Sequence, residues 1–192
     1  MIRKKAVIVL GIALTLSGVL SGCENNGKAA VEALEKGDYK EAEAQFKEMT
    51  EQKDKEKAAE GYRGLGITYY SQEQYEQAME MFSSAVEKGV KETTQLYNLM
   101  GSCAMRLEDY EKALEYYKAG IALNDTSSDE EKTDKNVQKS DEEMIREMKF
   151  NEVVCYERLA QWEQAKEKVK EYLSEYPDDE KMMKESQFLE TR

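Results

Sequence analysis

The sequence predicts an all-α protein, a solenoid of about four antiparallel helix pairs closed by a C-terminal capping helix. Three observations carry this. Four stretches line up along the chain: GDYKEAEAQF from Gly37, EQYEQAMEMF from Glu73, EDYEKALEYY from Glu108 and AQWEQAKEKV from Ala160. Each holds an aromatic (Tyr39, Tyr75, Tyr110, Trp162), then an alanine three places on (Ala42, Ala78, Ala113, Ala165), then a larger residue four beyond (Phe46, Phe82, Tyr117, Val169), which is one face of a helix. Nine places before the aromatics stand Ala30, Gly66 and Gly101, with Val153 in the fourth copy. Small residues at these points let two helices joined by a tight turn cross closely. Each hairpin is apolar on two sides and cannot bury itself alone, so neighbours must stack.

The N-terminus comes before this array. Arg3, Lys4 and Lys5 precede residues 6–20, an uncharged stretch that falls short of the ~20 apolar residues a bilayer span needs. The pattern fits a signal peptide over residues 1–22, ending just before Cys23. Its removal takes away three basic residues and no acidic one, so the net charge goes from −12 to −15. Such a chain repels nucleic-acid phosphates and anionic lipid. No nucleic-acid partner is expected, and attachment to a membrane would have to be covalent or apolar. Histidine is absent. That removes Ser-His-Asp and Cys-His catalysis and every His-ligated metal site. No phosphate-binding glycine loop is found. The acidic run from Asp125 fails as a calcium loop, because Glu130 stands where the turn needs glycine. No catalytic residue, metal or cofactor is predicted.

The solenoid proper is expected over residues 28–192, after a short tether at 23–27. The aromatics of the first three copies are spaced by 36 and 35 residues, the last two by 52. The surplus is NDTSSDEEKTDKNVQK, residues 124–139, read as a loosely ordered polar insertion. Ser140-Asp141-Glu142-Glu143 then reads as a capping box opening a long helix. Beyond Pro177, Asp178 is expected to cap a final helix, about 178–190, carrying Met182, Met183 and Leu189.

The pattern resembles the tetratricopeptide repeat. The second copy carries it most fully, at Tyr62, Leu65, Gly66, Tyr69, Tyr75, Ala78, Phe82 and Ala85. The third matches at Tyr97, Gly101, Ala104, Tyr110, Ala113 and Tyr117, and the fourth at Tyr156, Trp162, Ala165 and Pro177. The fourth departs with Glu152 and Val153, where the family prefers leucine and a small residue. The first is weakest, with Asn26 at an aromatic position and a first helix expected from about Gly27.

Cys103 and Cys155 hold the same place in successive repeats. Stacked first helices lie ~8–10 Å apart, too far for a disulfide, which needs Cα atoms within ~7 Å. Both are expected as free, buried thiols. Cys23 then has no partner. Leu20-Ser21-Gly22-Cys23 resembles the lipobox of bacterial lipoproteins. That resemblance implies lipid on the Cys23 thiol, cleavage before it, and a place on the outer side of the cytoplasmic membrane. Two or more acyl chains anchor stably at ~0.8 kcal/mol per buried CH₂.

Family resemblance also implies a use: binding proteins or peptides along a groove lined by the first helices. The groove positions carry Arg63, Ile67 and Tyr70 in the second repeat, Asn98, Met105 and Arg106 in the third, and Phe150 and Arg158 in the fourth. The mature chain has twenty lysines and five arginines, yet three arginines and no lysine fall at groove positions. Arginine presents a rigid fork to carboxylates. The expectation is that Arg63, Arg106 and Arg158 orient an acidic or C-terminal peptide while Tyr70, Met105 and Phe150 grip it. Glu60, Glu147 and Glu157 could instead pair with those arginines. The leading functional reading is a lipid-anchored scaffold for envelope or secretion proteins, with a receptor for a secreted peptide or small ligand as the alternative. An enzyme finds no motif.

Overall fold

The structure is a computed structural model describing residues 25–126 and 135–192. The expected signal peptide, Cys23 and the middle of the polar insertion lie outside the described residues. Among those described there are nine helices and no strand: α1 (Asn25–Glu35), α2 (Tyr39–Thr50), α3 (Lys55–Ser71), α4 (Tyr75–Glu87), α5 (Thr94–Arg106), α6 (Tyr110–Thr126), α7 (Lys135–Arg158), α8 (Trp162–Glu175) and α9 (Glu180–Leu189). They pair in order, α1 with α2 through α7 with α8, and α9 packs on α8. Consecutive first helices touch: α1 with α3, α3 with α5, and α5 with α7. Consecutive second helices scarcely meet. The first helices are therefore the inner layer of a curved stack, and the second helices the outer.

The four hairpin turns are built alike. Gly37, Glu73, Glu108 and Ala160, each two places before a repeat aromatic, adopt left-handed backbone with φ of 75°, 59°, 61° and 54°. The next residue's amide returns to the helix, Asp38 to Ala33 O, Gln74 to Tyr69 O, Asp109 to Ala104 O and Gln161 to Tyr156 O, each at 2.9 Å. This is the glycine-type helix stop, although only Gly37 adopts it without steric cost. Asp38 and Asp109 then cap the following helices through hydrogen bonds of 3.2 Å from Glu41 N and Lys112 N. Gln74 and Gln161 make no such side-chain cap.

Packing refines the reading of the small residues. A Cβ on Gly66 would meet the Phe82 ring at 2.5 Å, and one on Gly101 the Tyr117 ring at 2.6 Å. Each glycine thus makes room for the aromatic of its own second helix, rather than crossing directly on the alanine. Between repeats, Gly64 lies against the Phe46 ring of the preceding pair, a contact the sequence reading did not assign. Phe46, Phe82, Tyr117 and Val169 are all buried, as the period predicts.

Three boundaries differ from expectation. Helix α1 begins at Asn25, so two residues of the expected tether before Gly27 are helical. Helix α6 runs on through Thr126 and α7 starts at Lys135, so both ends of the polar insertion are helical and Ser140 lies inside α7 instead of opening it. Lys135, Gln138 and Lys139 are good helix formers, so extending an existing helix is favoured over nucleating a new one. The final helix is capped by Asp179, not Asp178; its Oδ1 accepts from Lys181 N at 3.0 Å and Met182 N at 3.1 Å. Met182 and Leu189 are buried beneath it, while Met183 faces outward.

Cys103 and Cys155 are free and buried. Burial pushes both thiols up to about 12. The Cys155 thiol packs 3.2 Å from the Met105 sulfur, which joins the first helices of the third and fourth pairs.

Candidate functional site: the inner face of the first helices

The predicted groove residues all lie on the first helices α3, α5 and α7. Their environments differ. Ile67 and Met105 are buried and belong to the core. Arg63 is buried on α3 and bound to Glu60 one turn away, its Nε donating to Glu60 Oε2 at 2.8 Å. Burial raises the Glu60 carboxyl, while the charge and hydrogen bond of Arg63 oppose the rise.

Arg106 and Arg158 take part in a different pattern. Arg106, at the end of α5, sits over the Tyr75 ring at 5.5 Å, and Arg158, at the end of α7, over the Tyr110 ring at 5.8 Å. Arg192, after α9, repeats the contact on Trp162 at 5.4 Å. Each cation covers the aromatic that opens the second helix of the preceding pair. The structure does not bring the three groove arginines together as one carboxylate fork.

A polar cluster does assemble in the middle of the face. Tyr70 of α3 is half-buried, edge-on to Tyr75 at 5.7 Å. The Ser102 hydroxyl of α5 stands within hydrogen-bonding reach of the phenols of Tyr70 and Tyr117. Asn151 of α7 donates from Nδ2 to the Tyr117 hydroxyl at 3.3 Å. Glu147, one turn before Asn151, is close enough to both phenols to act on them electrostatically. Burial pushes Tyr70 up to about 12 and lifts the Glu147 carboxyl to about 7. Asn98, one turn before Ser102, is only 2% exposed, and its Oδ1 has no hydrogen-bond partner. Phe150 is half-buried nearby, edge-on to Tyr172 at 6.2 Å.

Sequence reasoning placed Tyr70, Asn98 and Phe150 on this face but missed the roles of Tyr117 and Asn151. Tyr117 occupies a core aromatic position; the signal was its hydroxyl, where the equivalent residues of the first two repeats are phenylalanine. Among the described residues no three acidic or cysteine side chains are placed to hold a metal ion. No helix among the described residues is long and apolar enough to cross a membrane.

Comparison with known proteins agrees with this architecture. Family models described as tetratricopeptide repeat match residues 33–103, 94–127 and 150–179. YrrB, described as "a TPR protein with an unusual peptide-binding site", superposes with a TM-score of 0.66 at 20% identity, over 86% of this chain and 77% of that one. MamA (41-end) from Desulfovibrio magneticus RS-1 gives 0.66 at 16% identity, over 88% and 86%. The Arabidopsis OM64 TPR domain gives 0.53 at 12% identity, over 72% and 98%. No curated protein matches the sequence. At these identities the structural likeness speaks to the fold alone. With repeat matches over residues 33–127 and 150–179, and helix pairs stacked through both, the chain carries tetratricopeptide repeats.

Proposed function

We propose that the protein is a membrane-anchored interaction scaffold. Lipid on Cys23 holds it at the outer side of the cytoplasmic membrane, and the inner face of its repeats binds partner proteins or peptides. One observation carries the binding role: Tyr70, Glu147 and Phe150 are left half-buried on the inner face by the helices that hold them. Half-covered aromatics beside polar groups are the usual anchors of protein interfaces. The peptide-binding site ascribed to the similarly folded YrrB is in keeping with this reading.

The anchoring role rests on the basic tip, the apolar run and Leu20-Ser21-Gly22-Cys23. With α1 starting at Asn25, Cys23 and Glu24 alone separate the expected cleavage point from the first repeat. At ~3.5 Å per extended residue, two residues reach only ~7 Å, so the first repeat would sit against the membrane surface and the later ones project from it. Metabolic labelling with an alkyne-tagged fatty acid, followed by membrane fractionation, tests the anchor. The wild-type chain should carry label and sediment with membranes, and Cys23→Ser should do neither and remain uncleaved. Normal processing of Cys23→Ser would show that Cys23 carries no lipid anchor. For the binding role, a Tyr70→Ala, Phe150→Ala double variant should lose the partners captured by the wild-type chain while keeping its helical circular dichroism. Unchanged capture would contradict it.

A further inference from the structure

The inner face differs in how its two charge signs are answered. Its cationic groups already have partners from the chain itself: Arg63 is bound to Glu60, Arg106 covers Tyr75 and Arg158 covers Tyr110. Two of its acceptors, Glu147 and Asn98, do not. Glu147 has no lysine or arginine pairing with it among the described residues, and burial alone accounts for the rise of its carboxyl. Asn98 buries a side-chain oxygen that receives no hydrogen bond. An acceptor buried without a partner has lost its water with nothing in return, so Asn98 is poised to gain from a donor, and the half-buried carboxylate of Glu147 from an opposite charge. A carboxylate ligand would bring no donor and a like charge. A guanidinium or ammonium brings up to five N–H groups and the opposite charge. The net charge of −12 also draws a basic segment towards the protein.

We propose that the inner face binds a basic peptide segment, and that one arginine or lysine of that segment enters between α3, α5 and α7 to meet Glu147, the Asn98 oxygen and the face of Tyr70. This rests on the reading that the inner face is the binding surface, and it reverses the acidic partner that the arginine count suggests.

A random peptide library displayed on phage, panned on the immobilised full chain in mild detergent, tests it. Enriched peptides should carry arginine or lysine at one fixed position beside apolar residues. With a synthetic copy of the enriched sequence, replacing that arginine by uncharged citrulline should weaken binding about tenfold or more, the loss expected for a charge-assisted hydrogen bond. Glu147→Gln should weaken the parent peptide to a similar degree and leave the citrulline peptide nearly unaffected, since both changes break the same pair. Glu111→Gln, on the exposed side of α6, should change neither. Acidic or neutral peptides whose binding is lost in Phe150→Ala would overturn the cation site and leave the groove reading standing. So would basic peptides indifferent to Glu147→Gln but sensitive to Phe150→Ala. Peptides indifferent to both variants, or no enrichment at all, would overturn the two together.

Discussion

Glu73, Glu108 and Ala160 hold the left-handed backbone that ends each first helix, a conformation costing a non-glycine residue roughly 1 kcal/mol. Ala160→Gly relieves that strain without removing a contact that the turn uses. It should raise stability by about 0.5–1 kcal/mol in urea titrations, less any entropy the unfolded chain gains. Glu152 is a second residue at odds with its surroundings. It is 4% exposed, and its nearest cation, Lys168, is 3.6 Å away, beyond a good hydrogen bond. Lys168 also pairs with Glu171 at 2.8 Å and would not be stranded. Replacing a poorly compensated buried charge by an apolar side chain commonly stabilises, so Glu152→Leu should add about 1–3 kcal/mol. A lower urea midpoint would mean that Glu152 is better satisfied than its geometry indicates. At this scale the sequence was a partial guide. It marked Glu152 as a departure from the repeat pattern and gave the buried thiols their place. It could not show that Arg63 is already bound to Glu60, because a partner three residues away on one helix reads the same whether its fork faces inward or out.

At the scale of helices, Gly101 shows which of two opposed effects wins. Alanine in a helix interior is favoured over glycine by ~1 kcal/mol. A Cβ at Gly101, however, would press on a Tyr117 ring that is fully buried and cannot retreat. Overpacking of that kind costs ~1–3 kcal/mol, so Gly101→Ala should destabilise by about 1 kcal/mol or more, measurable by thermal unfolding. The capping helix is held by another device. The Tyr172 hydroxyl and Arg146 Nη2 reach Asp179 Oδ2 at 2.7 and 2.6 Å, and Arg146 Nε donates to the Tyr172 oxygen at 3.0 Å. Burial tends to raise the Asp179 carboxyl. Hydrogen bonds from Tyr172, Arg146 and the amides of Met182 and Lys181 outweigh it and bring the carboxyl down to about 2. A carboxyl lowered on folding contributes stability above its unfolded value near 3.8 and loses it as pH falls towards 2. Asp179→Asn should therefore lower the melting temperature at pH 6 and make little difference near pH 2. An equal effect at both would show that its role is steric. The helices themselves were legible from the period of alanines and aromatics. Their ends were not: Asp178 and Asp179 are equally plausible caps in sequence, and a charged insertion rich in helix formers gives no sign of where helix yields to turn.

For the whole molecule, the order of pairs follows from the repeat, since each hairpin must bury both apolar sides on neighbours, while the inner position of the first helices was implied by the family resemblance and is seen in the contacts they make with one another. The composition of the inner face does not. Recognition there depends on which polar groups the stacked helices leave unanswered, Asn98 and Glu147, and the cluster of Asn98, Ser102, Tyr117, Glu147 and Asn151 comes from three helices that only the fold brings together. A photoreactive amino acid placed in living cells at Tyr70, Ser102 or Phe150 on the inner face, and at Glu76, Glu111 or Glu163 on the outer helices, tests whether partners bind through the inner face. A discrete crosslinked partner is expected from the inner positions and none shared by the outer ones. The same partner captured from the outer positions, with nothing from the inner, would contradict it.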